Sequence, residues 1–137
     1  MKVVFADTQY WIAIVNPRDQ WHEHAKHARE TLGNFILLTT DEILIEFLNA
    51  LSGKGKNIRL IAVKIVSEIL NNPNVRVMPQ SHDTFSKGLE LYRKREDKDY
   101  SLTDCISMNV MKSESVTDVL TSDRHFKQEG FSILLTL

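Results

Sequence analysis

Residues 3–15, VVFADTQYWIAIV, join a short strand to a helix through a single aspartate. The run VVF is apolar and rich in β-branched residues, which is typical of a strand that is covered on both faces. Apolar residues then recur at helical spacing from Tyr10 to Val15, and the pattern stops at the proline of NPRD. The segment therefore predicts a buried strand, Asp7 at its carboxyl end, and a helix that begins at once.

The same alternation of strand and helix continues along the rest of the chain. Further strand candidates are FILLTT at 35–40, VRVM at 75–78, DVLTSD at 118–123 and FSILLTL at 131–137. Helical patterns lie between them at 20–32, from Asp41 to near Gly53, at 57–70, at 81–95, from Ser101 onward, and in a short turn at RHF. This order predicts an α/β fold with three α/β/α layers and a parallel sheet of about five strands. Because nothing marks a linker, we expect residues 1–137 to form a single domain.

The composition excludes several classes of protein. The chain has 137 residues, the length of one ordinary domain, and is 42% hydrophobic and 26% charged, which is typical of a globular protein. Asp7 interrupts the apolar start and no small-residue cleavage site follows, so we do not expect a signal peptide. No apolar run approaches the ~20 residues that span a bilayer. The single Cys105 excludes an internal disulfide, and we expect a cytoplasmic protein that does not bind a membrane.

Four acidic residues fall where such a fold places its ligand site. Asp7 follows the first predicted strand, and Asp123 follows the fourth. Asp104 lies in the first turn of the helix before the fourth strand, and Glu46 lies in the middle of the helix after the second. Ligands of open α/β sheets bind outside the carboxyl ends of the strands. We therefore expect these four carboxylates to face one edge of the sheet.

Each of the four also has a structural explanation. Asp7 can cap the helix that follows it, and Asp123 can begin a turn. Asp104 stands three residues after Ser101, which is the spacing of a capping box, and Glu46 can belong to a solvated stripe. We favour a division of roles in which Ser101 caps the helix and leaves the Asp104 carboxylate free to face a metal ion.

A divalent cation would reconcile four carboxylates in one cleft. Like charges at close range force some carboxyl groups to keep their protons, and a cation removes that conflict. Mg²⁺ and Mn²⁺ prefer oxygen ligands, whereas zinc sites are built mainly from cysteine and histidine. A metal ion held in this way supports the hydrolysis of a phosphodiester bond.

Four segments together carry a resemblance to a known family. They are FADTQYWIAI at 5–14, TTDEILIEFLNAL at 39–51, KDYSLTDCISMNVM at 98–111 and VLTSDRHFKQEGF at 119–131. In this order and spacing the chain resembles a PIN domain, and within that group the VapC-like toxins of bacterial and archaeal type II toxin-antitoxin pairs. The resemblance runs from about residue 2 to residue 135 and covers nearly the whole chain.

The resemblance implies a function and a site. It implies a five-stranded parallel sheet between helices and an endoribonuclease that hydrolyses RNA phosphodiester bonds, leaving a 3′-hydroxyl and a 5′-phosphate. Its metal ligands and catalytic residues would be Asp7, Glu46, Asp104 and Asp123, binding Mg²⁺ or Mn²⁺. It also implies an antitoxin protein whose peptide covers the cleft.

Other polar residues are candidates for supporting roles. Thr8, Ser101, Thr103, Thr121 and Ser122 lie beside the acidic residues and can orient a carboxylate or a metal-bound water, although ordinary capping explains each of them equally well. Glu42 lies one helical turn before Glu46 and is a reserve ligand. Asp97 and Asp99 are expected to be solvated loop charges. His22, His24 and His27 lack the spacing of a metal pair and are expected to form a solvated helix face, and the five histidines offer no catalytic pair typical of a ribonuclease.

Basic residues flank the predicted acidic site. We predict that some of them follow an RNA backbone, although a solvated surface is an equally good interpretation. The candidates are Lys54, Lys56, Arg59, Arg95, Lys98 and Arg124. The net charge of −1 predicts no strong overall field, so the attraction to RNA would be local.

Three other functions remain open at this level. The first is a solitary PIN nuclease in RNA processing, with no antitoxin. The second is a non-catalytic regulatory binding module, for which the apolar helices at 8–15 and 41–70 are candidate surfaces for a homodimer or an antitoxin, if they are not core. The third is a phosphotransfer or nucleotide-binding domain, and the lack of a glycine-rich loop after the first strand counts against it.

Overall fold

The structure is a computed structural model that describes residues 1–136. Its strands are β1 (Lys2–Ala6), β2 (Phe35–Thr40), β3 (Val75–Met78), β4 (Asp118–Leu120) and β5 (Ser132–Ile133). Its helices are α1 (Thr8–Val15), α2 (His22–Leu32), α3 (Asp41–Leu51), α4 (Lys56–Asn71), α5 (His82–Lys94), α6 (Leu102–Ser113) and α7 (Arg124–Gln128). The predicted alternation is confirmed. The fifth strand is shorter than predicted, and Leu137, at its predicted end, lies outside the described residues.

The five strands form one parallel sheet in the order β3-β2-β1-β4-β5. The chain builds outward from β1 in one direction, through β2 and β3, and then returns to the other side of β1 with β4. Strand order therefore reverses at β1. In open parallel sheets this reversal opens a crevice at the carboxyl ends of the two central strands, and here those ends lead into Asp7 and Thr121.

The centre of the sheet is fully buried, as the opening segment predicts. Val4, Phe5 and Ala6 of β1 have no exposed surface, which fits a strand with helices on both faces. Tyr10 and Trp11 of α1 are 1% and 6% exposed. The helix at 8–15 is therefore largely core, and most of its apolar surface cannot serve as the partner surface considered from the sequence.

The apolar residues of α4, unlike those of α1, are only partly buried. Ala62 and Ile69 face the core, whereas Leu60, Val63 and Leu70 are each more than half exposed. These three residues lie at the spacing of one helical face, so α4 presents an apolar stripe to the surroundings. None of the helices within residues 1–136 has both the length and the apolar character needed to cross a membrane.

Helix α5 packs on α6 with Gly88 and Leu91 buried, whereas its three other large apolar residues are about half exposed. A side-chain carbon at Gly88 would lie 2.5 Å from Ile106 Cγ1, so only glycine allows this close approach without movement of α6. Phe85, Leu89 and Tyr92 are 45%, 50% and 51% exposed. The apolar spacing of α5 therefore locates the helix correctly but does not identify the face that packs.

Candidate active site

Asp7 lies at the carboxyl end of β1 and is 9% exposed. It precedes α1, yet its side chain makes no capping hydrogen bond to that helix; instead Oδ2 accepts a hydrogen bond from Thr121 Oγ1 at 2.8 Å. Burial raises the pKa of Asp7 to about 7 against the lowering effect of the Thr121 hydrogen bond, and the charges of Asp104 and Glu46 raise it further. The carboxyl group of Asp7 thus belongs to a crowded acidic cluster rather than to a helix cap.

Thr121 connects the acidic residues at the ends of β1 and β4. Its hydroxyl is fully buried, and while it donates to Asp7 it accepts a hydrogen bond from the backbone N–H of Asp123 at 3.1 Å. Asp123 itself caps α7, since its Oδ1 accepts from the backbone N–H of His125 at 2.9 Å. One threonine hydroxyl therefore fixes the relative positions of Asp7 and the Asp123 backbone.

Asp104 combines two roles. Ser101 Oγ accepts from the N–H of Asp104 at 3.0 Å, and Asp104 Oδ2 accepts from the N–H of Ser101 at 3.2 Å, so the capping box of α6 is complete. The expectation that Ser101 caps α6 alone is therefore wrong, because the orphan N–H of Ser101 also needs an acceptor. Asp104 Oδ1 forms no hydrogen bond with any residue of 1–136 and remains available to a ligand.

Glu46 reaches the same edge of the sheet from α3. Its Oε1 accepts a hydrogen bond from Thr8 Oγ1 at 2.5 Å, and Thr8 adjoins Asp7. The side chain therefore faces the acidic cluster and not a solvated stripe. Glu42, the reserve ligand, instead lines a neighbouring cavity with Phe85 and Thr103.

His125 is a site residue that the sequence analysis missed. Its Nδ1 lies 3.1 Å from Asp104 Oδ2 and 3.4 Å from Asp123 Oδ1. One ligand atom from each of these three residues lies within 4.8 Å of the other two. Two carboxylates and an imidazole form a donor set that a divalent metal ion accepts. No histidine is among the residues predicted for the site, so His125 is an addition to the candidate site.

Gln9 is a second residue of this network that was not predicted from the sequence. Its Oε1 accepts from the backbone N–H of Ser122 at 2.8 Å, and its Nε2 donates to Ser122 Oγ at 2.7 Å. These bonds join the first turn of α1 to the loop before α7. Four of the five predicted supporting residues make hydrogen bonds within this network: Thr8, Ser101, Thr121 and Ser122. The fifth, Thr103, lines the cavity beside Glu42.

The basic candidates differ in how firmly the fold holds them. Arg95 Nε and Nη2 each donate to Glu129 at 2.9 Å, so Arg95 has a structural role. Arg59 donates to the backbone carbonyl at the end of α3, and Lys98 pairs with a neighbouring exposed aspartate. No residue of 1–136 forms an ion pair with the remaining three, which are Lys54, Lys56 and Arg124. Contact of these six residues with RNA stays a prediction.

Comparison with known proteins identifies the family. The family model described as PIN domain matches residues 4–131. A curated relative, the 23S rRNA-specific endonuclease VapC20 of Mycobacterium tuberculosis, is 24% identical over 132 residues, which cover 94% of this chain and 95% of the relative.

Solved structures show the same fold. That of Mycobacterium tuberculosis VapC20, a Sarcin-Ricin loop cleaving toxin, superposes with a TM-score of 0.84 at 24% identity and covers 97% of this chain and 99% of its own. FitAcB from Neisseria gonorrhoeae has a TM-score of 0.67 at 15% identity, with 96% of each chain covered. A toxin-antitoxin complex from Klebsiella pneumoniae has a TM-score of 0.62 at 14% identity, with 88% and 87% covered.

The family match spans nearly the whole chain and includes β2, β3, β4 and most of β1, and the sheet has the five-stranded parallel architecture that the resemblance implied. This chain belongs to the PIN domain family.

Proposed function

We propose that this protein is a metal-dependent endoribonuclease that acts as the toxin of a type II toxin-antitoxin pair. The observation that carries the proposal is the convergence of Asp7, Asp104 and Asp123 at the switch point of the sheet, where Thr121 links two of them. A relative that spans almost the full length of the chain is a 23S rRNA-specific endonuclease, which supports RNA as the substrate.

The residues present fit a divalent cation. Carboxylate oxygens predominate, and the burial and crowding that raise the pKa of Asp7 are the conditions that a bound cation would relieve. Asp7, Asp104 and Asp123 would hold the ion, with Glu46 and His125 beside them. We propose Mg²⁺ or Mn²⁺, since both accept oxygen-rich donor sets and Mn²⁺ also tolerates an imidazole. When bound, such an ion polarises a phosphoryl oxygen and lowers the pKa of a bound water.

The protein's own groups position the reactants. Asp104 Oδ1, which no residue of 1–136 occupies, can accept a hydrogen bond from the attacking water. Thr8 fixes Glu46 Oε1 and leaves Oε2 for the same purpose. Because the capping box and Thr121 already hold Asp104 and Asp123 in place, little reorganisation is needed when RNA binds.

The test is cleavage of single-stranded RNA with and without Mg²⁺ or Mn²⁺. We expect Asp7→Asn and Asp123→Asn each to reduce the rate by more than about 100-fold, because losing a ligand costs more than the 10–100-fold typical of an outer-shell partner. Asp97→Asn and Asp99→Asn, which change exposed loop carboxylates, serve as matched controls and should retain full activity. A folded Asp7→Asn variant with undiminished metal-dependent cleavage would contradict the proposal.

A protein partner follows from the toxin role. Two of the structural neighbours, the Klebsiella pneumoniae complex and VapC20, are a toxin-antitoxin complex and a toxin, which supports an antitoxin for this chain as well. A homodimer and a cytoplasmic location belong to the same proposal. A reading frame for a small DNA-binding protein beside this gene would favour the toxin, and its absence would favour a solitary RNA-processing nuclease.

A further inference from the structure

A cavity of about 480 Å³ lies at the carboxyl edge of the sheet, outside the acidic cluster. It is open to solvent and is lined by the first turns of α3, α5 and α6 and by the loop after β3. Its lining combines apolar side chains, which include Phe85, Leu102 and Ile106, with polar side chains, which include Glu42, Gln80 and Thr103 and are called here its polar rim. Apolar side chains with a few polar groups among them are typical of a small-molecule binding site.

The cavity adjoins the site of proposed cleavage on two sides. Thr103 immediately precedes Asp104 in the first turn of α6, and Glu42 lies one helical turn before Glu46 on the same face of α3. The cavity therefore lies next to the acidic cluster, within the path open to a nucleotide that neighbours a phosphate bound there.

The wall of the cavity carries an exposed aromatic surface. Phe85 is 45% exposed, and the ring of His82 lies beside it with centroids 6.0 Å apart and planes inclined by 31°. Gly88 brings α5 close to α6, so the phenyl ring is held at the edge of the cavity by a closely packed pair of helices. Unpaired RNA bases stack on exposed aromatic rings of this kind.

The rim provides hydrogen-bonding groups without protein partners. No residue of 1–136 forms an ion pair or hydrogen bond with the side chains of Glu42 or Gln80. The loop that carries Gln80 is braced, because the backbone N–H of Gln80 donates to Asp41 Oδ2 at 2.8 Å. A carboxylate accepts hydrogen bonds only, whereas an amide both donates and accepts.

We propose that this cavity binds an unpaired nucleobase next to the bond that is cut, with guanine preferred, an inference that rests on the proposed ribonuclease function. The Watson–Crick edge of guanine presents two N–H donors to the Glu42 carboxylate and a carbonyl oxygen to the Gln80 amide, while the base stacks on Phe85. Uracil offers one N–H donor at this edge and adenine a single amino group, so both satisfy the carboxylate less completely.

The experiment measures binding of fluorescein-labelled eight-nucleotide RNAs in an Asp7→Asn background, in which the RNA stays uncut. One RNA contains only uridine, one has a single central guanine, and one has inosine at that position, which lacks the amino group. We expect the guanine RNA to bind most tightly. Phe85→Ala should weaken its binding roughly 5- to 100-fold, the range for loss of one stacked base, and Phe85→Tyr should preserve it.

Two further variants separate stacking from base recognition. Glu42→Gln should abolish the difference between guanine and inosine while leaving the all-uridine RNA nearly unaffected. Leu89→Ala is the matched control, because Leu89 is similarly exposed on the same helix but does not line the cavity, and this variant should bind all three RNAs normally.

Each alternative result overturns the proposal. Equal binding by the Phe85→Ala and Leu89→Ala variants would show that no base stacks there, and a guanine preference that survives Glu42→Gln would exclude recognition at the rim. A changed sedimentation coefficient in Phe85→Ala with unchanged RNA binding would assign this face to a second copy of the chain. Metal-dependent cleavage by the wild type without any base preference would refute base recognition by the cavity but not the proposed ribonuclease function. No cleavage by the wild type would refute the ribonuclease function itself.

Discussion

Thr121 Oγ1 donates a hydrogen bond to Asp7 Oδ2 at 2.8 Å, which joins residues 114 positions apart in the sequence and the carboxyl ends of β1 and β4 in space. The same oxygen accepts from the N–H of Asp123. A single buried hydroxyl thus orients one acidic side chain and the backbone of another. The geometry of the candidate site therefore depends on a residue that carries no charge.

Thr121→Val tests this dependence because valine keeps the shape and removes the hydroxyl. Asp7 would lose a hydrogen bond to its charged form, and the N–H of Asp123 would lose its acceptor. We expect a loss of about 1–3 kcal/mol in the free energy of unfolding and a 10–100-fold loss of RNA cleavage. Urea unfolding and cleavage assays measure both. Thr117→Val, at an exposed position immediately before β4, should change neither. Full activity in Thr121→Val would show that the hydroxyl does not organise the site.

The pKa of Asp7 predicts a pH dependence of stability in the metal-free protein. Burial raises this pKa from 3.8 to about 7, so between these values the folded protein keeps a proton that the unfolded chain has lost. The contribution of Asp7 to stability therefore falls as the pH rises from about 4 to 7, by at most about 1.4 kcal/mol per pH unit, and levels off above 7. Urea unfolding in EDTA at pH 5 and 7.5 measures this change.

Asp7→Asn removes the titrating group and should show the smaller fall in stability between the two pH values. If the wild type and the variant differ by the same free energy at both pH values, Asp7 does not have a raised pKa.

The capping box of α6 can be separated from the acidic site by comparing two serines. Ser101→Ala and Ser81→Ala each remove the side-chain acceptor of an equivalent capping box, in α6 and α5 respectively. Both should cost about 0.5–2 kcal/mol of stability. Only Ser101→Ala loosens the backbone that carries Asp104, so only this variant should weaken Mn²⁺ binding, as followed by electron paramagnetic resonance. Equal Mn²⁺ affinity in the two variants would mean that the cap does not position the ligand.

Glu129 anchors the loop after α5 to the end of α7. Its side chain is 6% exposed, and hydrogen bonds from Arg95 and then Lys112 lower its pKa to about 2. The stability that this lowered pKa represents is fully present above about pH 4.5 and is lost as the pH falls toward 2. Glu129→Gln should therefore cost about 1–3 kcal/mol at pH 6, and the difference from the wild type should shrink at pH 3.

Glu90→Gln is the matched control for this measurement. Glu90 forms an exposed pair with Lys94 on α5, and its loss should cost no more than about 0.5 kcal/mol. If both variants behave alike, the network around Glu129 does not contribute to stability in the way its geometry indicates.

The sequence predicts the helices and strands, and the positions at which the strands end. Buried parallel strands are short apolar runs, so the polar residue that ends a run, such as Asp7, marks the carboxyl edge of the sheet. The role of His125 could not be predicted this way. It lies two residues from Asp123, but its approach to Asp104 depends on how α7 packs against α6, and no local pattern specifies that contact.

Helices α4 and α5 show what the apolar pattern of the sequence could not predict. Periodicity places Leu60 and Phe85 in helices but cannot indicate whether another element covers them, because that depends on the number and direction of neighbouring helices. The spacing of Ser101 and Asp104 allows a capping box, but the sequence could not show that Asp104 both closes this box and faces His125.

Anomalous diffraction from a crystal soaked in Mn²⁺ examines the proposed metal site without relying on activity. We predict a peak within coordinating distance of carboxylate oxygens of Asp7, Asp104 and Asp123, with Glu46 and His125 beside it, and no such peak in Asp104→Asn crystals. Mn²⁺ bound only at surface carboxylates, or full occupancy in the Asp104→Asn variant, would contradict a metal-dependent nuclease site at this edge of the sheet.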